Sequence, residues 1–317
     1  MRILLTGISG QVGGALLGPL QSIGAVFPVR RLDFDLSDPD SLPGKLDRVK
    51  PDLIVNPAAY TAVDRAEDDR ELADLVNARA PGRIAAWAAQ HAVPLVHFST
   101  DYVFPGTGEH PWREDDRPDP LSVYGASKLA GETAVRFAKG PHLIVRTSWV
   151  YAARGTNFLR TIVRLAHERQ ELRIVADQIG APTSARVIAD AVMAIVRQQA
   201  AALPELFARS GGLLHLACSG ETSWHGFATA IIGGLKSRGV ALKAERVVPI
   251  LTADYPSKAR RPQNSRFDQT RLRQVFGLAL PHWSDALAVE LDEFVRERAE
   301  GSDPLCTDKG QSPVKFA

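Results

Sequence analysis

The sequence predicts an α/β protein: a Rossmann-type, doubly wound parallel sheet with a smaller C-terminal α/β substrate-binding region. Three observations predict it. Short, almost uninterrupted apolar runs alternate with helical patterns through the first 150 residues, as strands covered on both faces must. Repeated strand–helix–strand units of this kind imply right-handed parallel crossovers. A glycine-spaced turn, Gly7-Ile-Ser-Gly10-Gln-Val-Gly13, separates the first strand from the first helix.

Residues 3–5 read as the first strand and 12–20 as the helix after the turn. A second strand covers 26–29. Asp38 before Pro39 reads as an N-cap with proline at the first helical position, opening a helix to about residue 50. A strand over 53–55, an alanine-rich helix over 67–91, a strand over 93–98, a helix over 122–138 and a strand over 143–145 follow. Between residues 104 and 121 proline, glycine and charge accumulate; so long a loop is functional or mobile. Further on, 158–169 and 185–199 read as helices, 213–217 as a strand, Ser223 as the cap of a helix to residue 236, and 280–299 as an amphipathic helix. Residues 301–317 are poor in apolar side chains and read as a disordered tail. The domain expectation is therefore 1–150 for a dinucleotide-binding domain whose sheet later segments help complete, 151–300 mainly for substrate, and 301–317 for the tail.

The chain has 317 residues, 45% hydrophobic and 23% charged, enough for a large core. Its 38 basic against 36 acidic residues leave a net charge of only +2, so no nucleic-acid partner is expected. Cys218 and Cys306 make no disulfide framework and point to a reducing compartment. The first glycine turn comes at Gly7, too early for a signal peptide. No apolar run approaches the roughly 20 residues that span a bilayer. A soluble, cytoplasmic protein with no membrane partner is expected. His91, His97, His142, His215 and His225 lack metal-ligand spacing with carboxylate or cysteine, so no metal is expected. His97 reads as a packed strand residue.

In the turn, Gly7, Gly10 and Gly13 permit a tight bend and close approach to a pyrophosphate, and the helix N-terminus supplies free amides and a positive dipole end. Spaced glycines alone also make ordinary turns; the strand before and helix after select the dinucleotide reading. At the end of the second strand an acidic residue would favour NADH, whereas arginine accommodates a 2′-phosphate. Arg30 and Arg31 stand there and favour NADPH, Arg30 foremost, with NADH possible but weaker; two solvated surface arginines are the plain alternative. Asp35 follows, placed for adenine or ribose.

Tyr124-Gly-Ala-Ser-Lys128 puts a phenol and an ammonium one helical turn apart. The cation is expected to lower the phenol pKa and make Tyr124 a usable acid–base. Just upstream, the strand ends Ser99-Thr100-Asp101, and a hydroxyl at a strand's carboxyl end faces the ligand crevice of an open sheet. Thr100 is thereby placed to bond a carbonyl oxygen and Tyr124; capping the following turn is its plainer use.

With Val55-Asn-Pro-Ala-Ala-Tyr-Thr-Ala-Val-Asp64, Ser99-Thr-Asp-Tyr-Val-Phe-Pro-Gly106, Arg146-Thr-Ser-Trp-Val-Tyr151, Asp177-Gln-Ile-Gly-Ala-Pro-Thr183 and Ala259-Arg-Arg-Pro-Gln-Asn-Ser265, the chain closely resembles the extended short-chain dehydrogenase/reductase family over residues 1 to about 295. Within it, the likeness is to the reductases that act on the 4-keto group of dTDP-4-dehydro-L-rhamnose. The resemblance implies that Gln11, Val12, Leu36, Ala59, Tyr60, Thr61 and Phe98 join the glycines and Asp35 around the cofactor. It implies Thr100, Tyr124 and Lys128 as the catalytic set, with Lys128 also holding the cofactor ribose and Asn77 supporting a proton relay. It implies Thr100, Asp101 and Trp149 as contacts to a dTDP-sugar; Trp149 is otherwise a core aromatic. Arg260 and Arg261 suit a nucleotide diphosphate, or else form a basic surface turn. Relatives that dimerise through Mg²⁺ carry glutamates where Ala15 and Arg186 stand here, so Mg²⁺ is not expected, and a monomer or a homodimer without a metal link is. Sugar-nucleotide dehydratases need a glutamate after Thr-Asp, where this chain has Tyr102. Epimerases retain NAD, which Arg30 and Arg31 speak against. A non-catalytic NADP-binding regulatory subunit would not need the intact Thr100, Tyr124 and Lys128.

Overall fold

The computed structural model describes residues 1–198 and 202–300. The tail expected over 301–317, Cys306 and residue 199 of the helix read over 185–199 lie outside the described residues.

A six-stranded, wholly parallel sheet forms the centre. Its first five strands in chain order are β1 (Arg2–Leu5), β2 (Ala25–Pro28), β3 (Leu53–Asn56), β4 (Leu95–Thr100) and β5 (His142–Thr147). Across the sheet the order is Leu213–His215, β5, β4, β3, β1, β2. The order reverses at β1, whose neighbours are β2 and β3, so a crevice opens outside the carboxyl ends of β1 and β3. Alternation within β1 shows why Ile3, Leu4 and Leu5 are all apolar. Ile3 and Leu5 enter a core beneath helices Gln11–Gln21 and Ala185–Gln198, while Leu4 enters the opposite core with Ile54, Ile84 and Trp87. A third core, around Tyr151, Ile162, Phe227, Ile231 and Phe294, holds the C-terminal helices against the two-stranded sheet of Glu171–Val175 and Arg246–Ile250.

Several expected elements differ. The helix expected from Asp38 opens as a 3-10 turn, Pro39–Ser41, with no side-chain bond from Asp38; the α-helix is Leu42–Val49. The single helix expected over 67–91 is broken into Arg70–Asp74, a π-helical turn Leu75–Arg79, and Ala80–Gln90. Pro81 explains the break, because it lacks the amide that the Asn77 carbonyl would accept in a regular helix. That carbonyl instead lies where a Cβ on Gly131 would come within 2.0 Å of it. The 104–121 segment is anchored rather than free. Trp112 stacks on Phe104, its indole N–H donates to the Asn264 carbonyl over 3.0 Å, and its amide donates to the Arg266 carbonyl over 2.8 Å.

Candidate active site

Backbone geometry explains the glycines of the first turn. Gly7 holds φ +61°, and a Cβ on Gly13 would lie 2.2 Å from the Gly7 carbonyl oxygen, so only glycine lets the helix start directly over the strand. Helix Gln11–Gln21 begins at Gly10 with no side-chain cap and no acidic residue in its first turn. Its first backward bond runs from the Gly14 amide to the Gly10 carbonyl, 2.9 Å. The amides of Gln11, Val12 and Gly13 are therefore left at the positive end of the helix for an anion. The Gln11 side-chain oxygen is buried without a partner in the protein, an acceptor available to a ligand hydroxyl or amide. A cradle that any Cβ would fill, with outward amides, fits a dinucleotide pyrophosphate.

A cavity of about 1120 Å³ runs from this turn to the helix that carries Tyr124. Every cofactor position read from the sequence lines it: Gly7, Gly10, Gln11, Val12, Gly13, Arg30, Arg31, Asp35, Leu36, Ala59, Tyr60, Thr61, Phe98, Tyr124 and Lys128. At one end, Arg30 and Arg31 are exposed. Arg31 is 3.7 Å from the Asp35 carboxylate. Asp35 accepts the Ser37 amide over 2.9 Å and the Ser37 hydroxyl over 2.8 Å, and those bonds hold its carboxyl below the usual range despite partial burial. Arg30 has no ion-pair partner among the described residues.

The other end is built on helix Val123–Phe137, capped by Ser122, whose hydroxyl accepts the Gly125 amide over 3.1 Å. Gly125 lets this helix approach the 3-10 turn Asp101–Val103 that follows β4, since a Cβ there would lie 2.2 Å from the Tyr102 carbonyl oxygen. Tyr124 and Lys128 both face the cavity. The expected lowering of the Tyr124 pKa is not found. Burial pushes it upward, against an opposing hydrogen bond from Thr100. Lys128 is not among the groups that act on the phenol; its ammonium donates to the Phe98 carbonyl over 2.6 Å. Burial brings Lys128 itself down to about 8, opposed by the charge of Glu132. Tyr124 is thus held protonated at neutral pH, the form a proton donor needs.

Thr100 does not line the cavity; it is buried behind Tyr124 and does cap the next turn, accepting the Tyr102 amide over 3.2 Å. Asn77 also differs from expectation as a relay partner. Its side-chain oxygen accepts the Tyr60 amide at 2.8 Å, and its side-chain nitrogen donates to the Tyr60 carbonyl and the Ser127 hydroxyl, each at 3.0 Å. No hydrogen bond joins its side chain to the Tyr124 phenol or the Lys128 ammonium; it fixes the Tyr60 wall of the cavity. Among the substrate positions, Asp101 is buried with its carboxylate turned to Thr100 and Ser265. Trp149 is half-buried at φ +50° and stacked on Trp224 at 3.6 Å, with Gly180 against its ring. Arg260 is exposed. Arg261 is not a surface cation: only 9% of its side chain is exposed, and it bonds the Asp64 carboxylate at 3.0 Å and the Tyr102 hydroxyl at 3.3 Å. Ala15 and Arg186 line the cavity, and Arg186 pairs with Glu290 and Glu293. Among the described residues no cluster of three or more histidine, cysteine or acidic side chains could hold a metal.

Sequence reasoning missed Thr147 and the 152–156 turn, which line the same cavity. Thr147 stands at the carboxyl end of β5 with a buried hydroxyl that has no partner in the protein, the position that identified Thr100 on β4. His97 is packed as expected: its Nδ1 meets the Asn56 side-chain nitrogen at 3.1 Å, and burial holds its pKa well below the usual value.

Comparison with known proteins adds to this geometry. Residues 1–296 match the family model described as the RmlD substrate binding domain. The dTDP-4-dehydrorhamnose reductase of Burkholderia thailandensis is 48% identical over 295 residues, covering 91% of this chain and 97% of that protein. A crystal structure of a dTDP-4-dehydrorhamnose reductase from Clostridium acetobutylicum superposes with a TM-score of 0.84 at 33% identity, covering 93% of this chain and 100% of the other. The dTDP-4-dehydrorhamnose reductase of Bacillus anthracis, solved in complex with NADP, superposes with a TM-score of 0.83 at 32% identity, covering 92% of this chain and 99% of the other.

Proposed function

The chain belongs to the RmlD substrate binding domain family, and on that premise we propose that it reduces the C4 keto group of dTDP-4-dehydro-β-L-rhamnose with NADPH. The product is dTDP-β-L-rhamnose, and the reaction is the last step of its synthesis. The observation that carries this reading is the single cavity wall that joins the glycine cradle to Tyr124 and Lys128.

When bound, NADPH supplies the hydride that reaches C4. The amides at Gln11–Gly13 hold the pyrophosphate, and Arg30 receives the 2′-phosphate. Lys128 binds the ribose. Tyr124, held protonated by burial, gives its proton to the C4 oxygen as negative charge develops there. Thr100 opposes the rise in the phenol pKa, and Asn77 keeps the Tyr60 segment against the cofactor. Trp149 and Arg260 face the sugar nucleotide, while Arg261 docks the 258–262 segment onto the cofactor half through Asp64. Residues 1–150, with later segments completing the sheet, form the cofactor domain, and 151–300 mainly hold the substrate.

No helix among the described residues is long and apolar enough to cross a membrane. We place the protein in the cytoplasm, where NADPH is available, as a monomer or a homodimer without a metal link. The test is NADPH oxidation by the purified protein with dTDP-, UDP- and GDP-linked 4-keto-6-deoxy sugars. The dTDP substrate should be turned over best, and Tyr124→Phe should still bind NADPH while losing turnover by at least about 100-fold. No absorbance loss with the dTDP substrate would sink the reading.

A further inference from the structure

The first turn of helix Val123–Phe137 is pinned from outside the helix. Amides at a helix start have no partner within it. The Ser122 hydroxyl accepts the Gly125 amide over 3.1 Å, and the Ser122 carbonyl accepts the Ala126 amide over 2.9 Å. The Val123 amide, the first of the helix, donates to a carboxylate oxygen of Glu67 over 2.9 Å, across 56 residues of sequence. Glu67 follows the short helix Val63–Ala66. Its side chain is only 18% exposed, and its other carboxylate oxygen lies 3.8 Å from the Arg70 guanidinium.

The turn that carries Glu67 is itself tied down. Asp64 accepts the Ala259 amide and the Arg261 guanidinium, each at 3.0 Å, and Asp68 pairs with Lys258. Tyr60, Thr61, Ala62 and Arg65 of the same segment line the cofactor cavity. One short segment therefore walls that cavity on one side and holds the start of the Tyr124 helix on the other.

We propose that Glu67 is a positioning residue: by holding the Val123 amide it fixes the helix start that carries Tyr124, and so sets where the phenol stands relative to the cofactor cavity. Tyr124 is the second residue of the helix, between the Val123 amide held by Glu67 and the Gly125 amide held by Ser122. A carboxylate there also suits the positive pole of the helix, and its charge strengthens the bond from the amide. Without Glu67 the half-buried Val123 loses that acceptor, and the first turn is held by Ser122 alone. A shift of about 1 Å in a reacting group costs up to roughly 100-fold in rate. Arg70, 73% exposed, steadies the carboxylate little. This inference rests on the functional reading above, in which Tyr124 is the acid.

The test uses the full chain as wild type, Glu67→Ala, Glu67→Gln, Arg70→Ala, Val123→Pro and Tyr124→Phe. Two readouts are taken: kcat and KM for both substrates, and the ¹⁹F spectrum of protein labelled with 3-fluorotyrosine, without substrate. The chain has five tyrosines, and the Tyr124 signal is the one missing from Tyr124→Phe. Glu67→Ala should lose about tenfold in kcat and shift or broaden the Tyr124 signal. KM for NADPH should stay within about twofold, since Glu67 does not line the cofactor cavity. Glu67→Gln keeps a carbonyl acceptor, and should recover kcat to within about threefold together with the wild-type signal. Arg70→Ala should stay within about twofold of wild type in kcat. Val123→Pro removes the amide where a helix tolerates proline, and should lose kcat and move the Tyr124 signal as Glu67→Ala does. An unmoved Tyr124 signal in Glu67→Ala overturns the anchor, as does an unmoved signal in Val123→Pro if Glu67→Ala does not fold. Equal losses in Arg70→Ala and Glu67→Ala also overturn it. A wild type inert toward every 4-keto sugar defeats the functional reading instead, while the fluorine signal still decides the anchor.

Discussion

The Lys128 ammonium donates to the carbonyl of Phe98 over 2.6 Å, which anchors the catalytic helix to β4 two residues before Thr100. A buried ammonium with one neutral partner is costly to keep charged, and its pKa falls from 10.5 to about 8. The charged form prevails below that value and is lost as pH rises through it. Turnover that needs the Lys128 charge at the ribose should therefore fall tenfold per unit above about pH 8. Lys128→Met should remove this basic limb together with roughly 100-fold or more of kcat/KM. A profile for wild type that stays flat to pH 10 would count against the assignment.

The sequence made the cofactor half legible because its signals are local. Each strand from β1 to β5 contains a short apolar run, and the glycine turn and the Tyr124–Lys128 spacing each lie within one element or one turn. The C-terminal half was harder. Its strands Ile179–Gly180, Thr183–Ser184, Thr222–Ser223 and Asn264–Ser265 have two residues each, too short for any periodicity. Pairings between distant segments left no local trace either. Nothing near Arg261 says that Asp64 will neutralise it, and nothing near Asp101 says that Ser265 will bond it. The break at Pro81 was readable in principle, since proline inside an alanine-rich run removes one specific carbonyl's partner.

Arg30 and Arg31 are adjacent in sequence but differ in commitment. Arg31 shares the Asp35 carboxylate at 3.7 Å, whereas Arg30 is without an ion pair among the described residues. A charge-assisted bond to a 2′-phosphate is worth about 1.5–3 kcal/mol, or a factor of roughly 10 to 100. Arg30→Ala should raise KM for NADPH by about that factor and leave KM for NADH within about twofold. Arg31→Ala should have the smaller effect of the two. Steady-state kinetics with both cofactors decide it, and equal losses for NADPH and NADH would remove Arg30 from the 2′-phosphate site.

Two ion pairs of nearly equal length separate burial from proximity. Arg146 and Glu132 meet at 2.6 Å with 2% of each side chain exposed, whereas Arg83 and Asp40 meet at 2.5 Å with 57% and 79% exposed. Glu132 also accepts the Ser99 hydroxyl at 2.6 Å and a second Arg146 bond at 2.8 Å. Nothing nearby can replace the carboxylate. The neighbouring His215 uses its Nδ1 on the Trp112 carbonyl at 3.0 Å, leaving Nε2 as a lone pair 3.5 Å from Arg146, and burial together with the Arg146 charge holds its pKa well below the usual value. Glu132→Ala would strand a buried guanidinium and should cost about 3–5 kcal/mol. Asp40→Ala removes an exposed pair and should cost about 0–1 kcal/mol. Urea denaturation of both variants in the same buffer tests the contrast. Equal midpoints would mean that Arg146 finds water or another acceptor once the carboxylate is gone, and that the pair does not hold the back of the Lys128 helix in place.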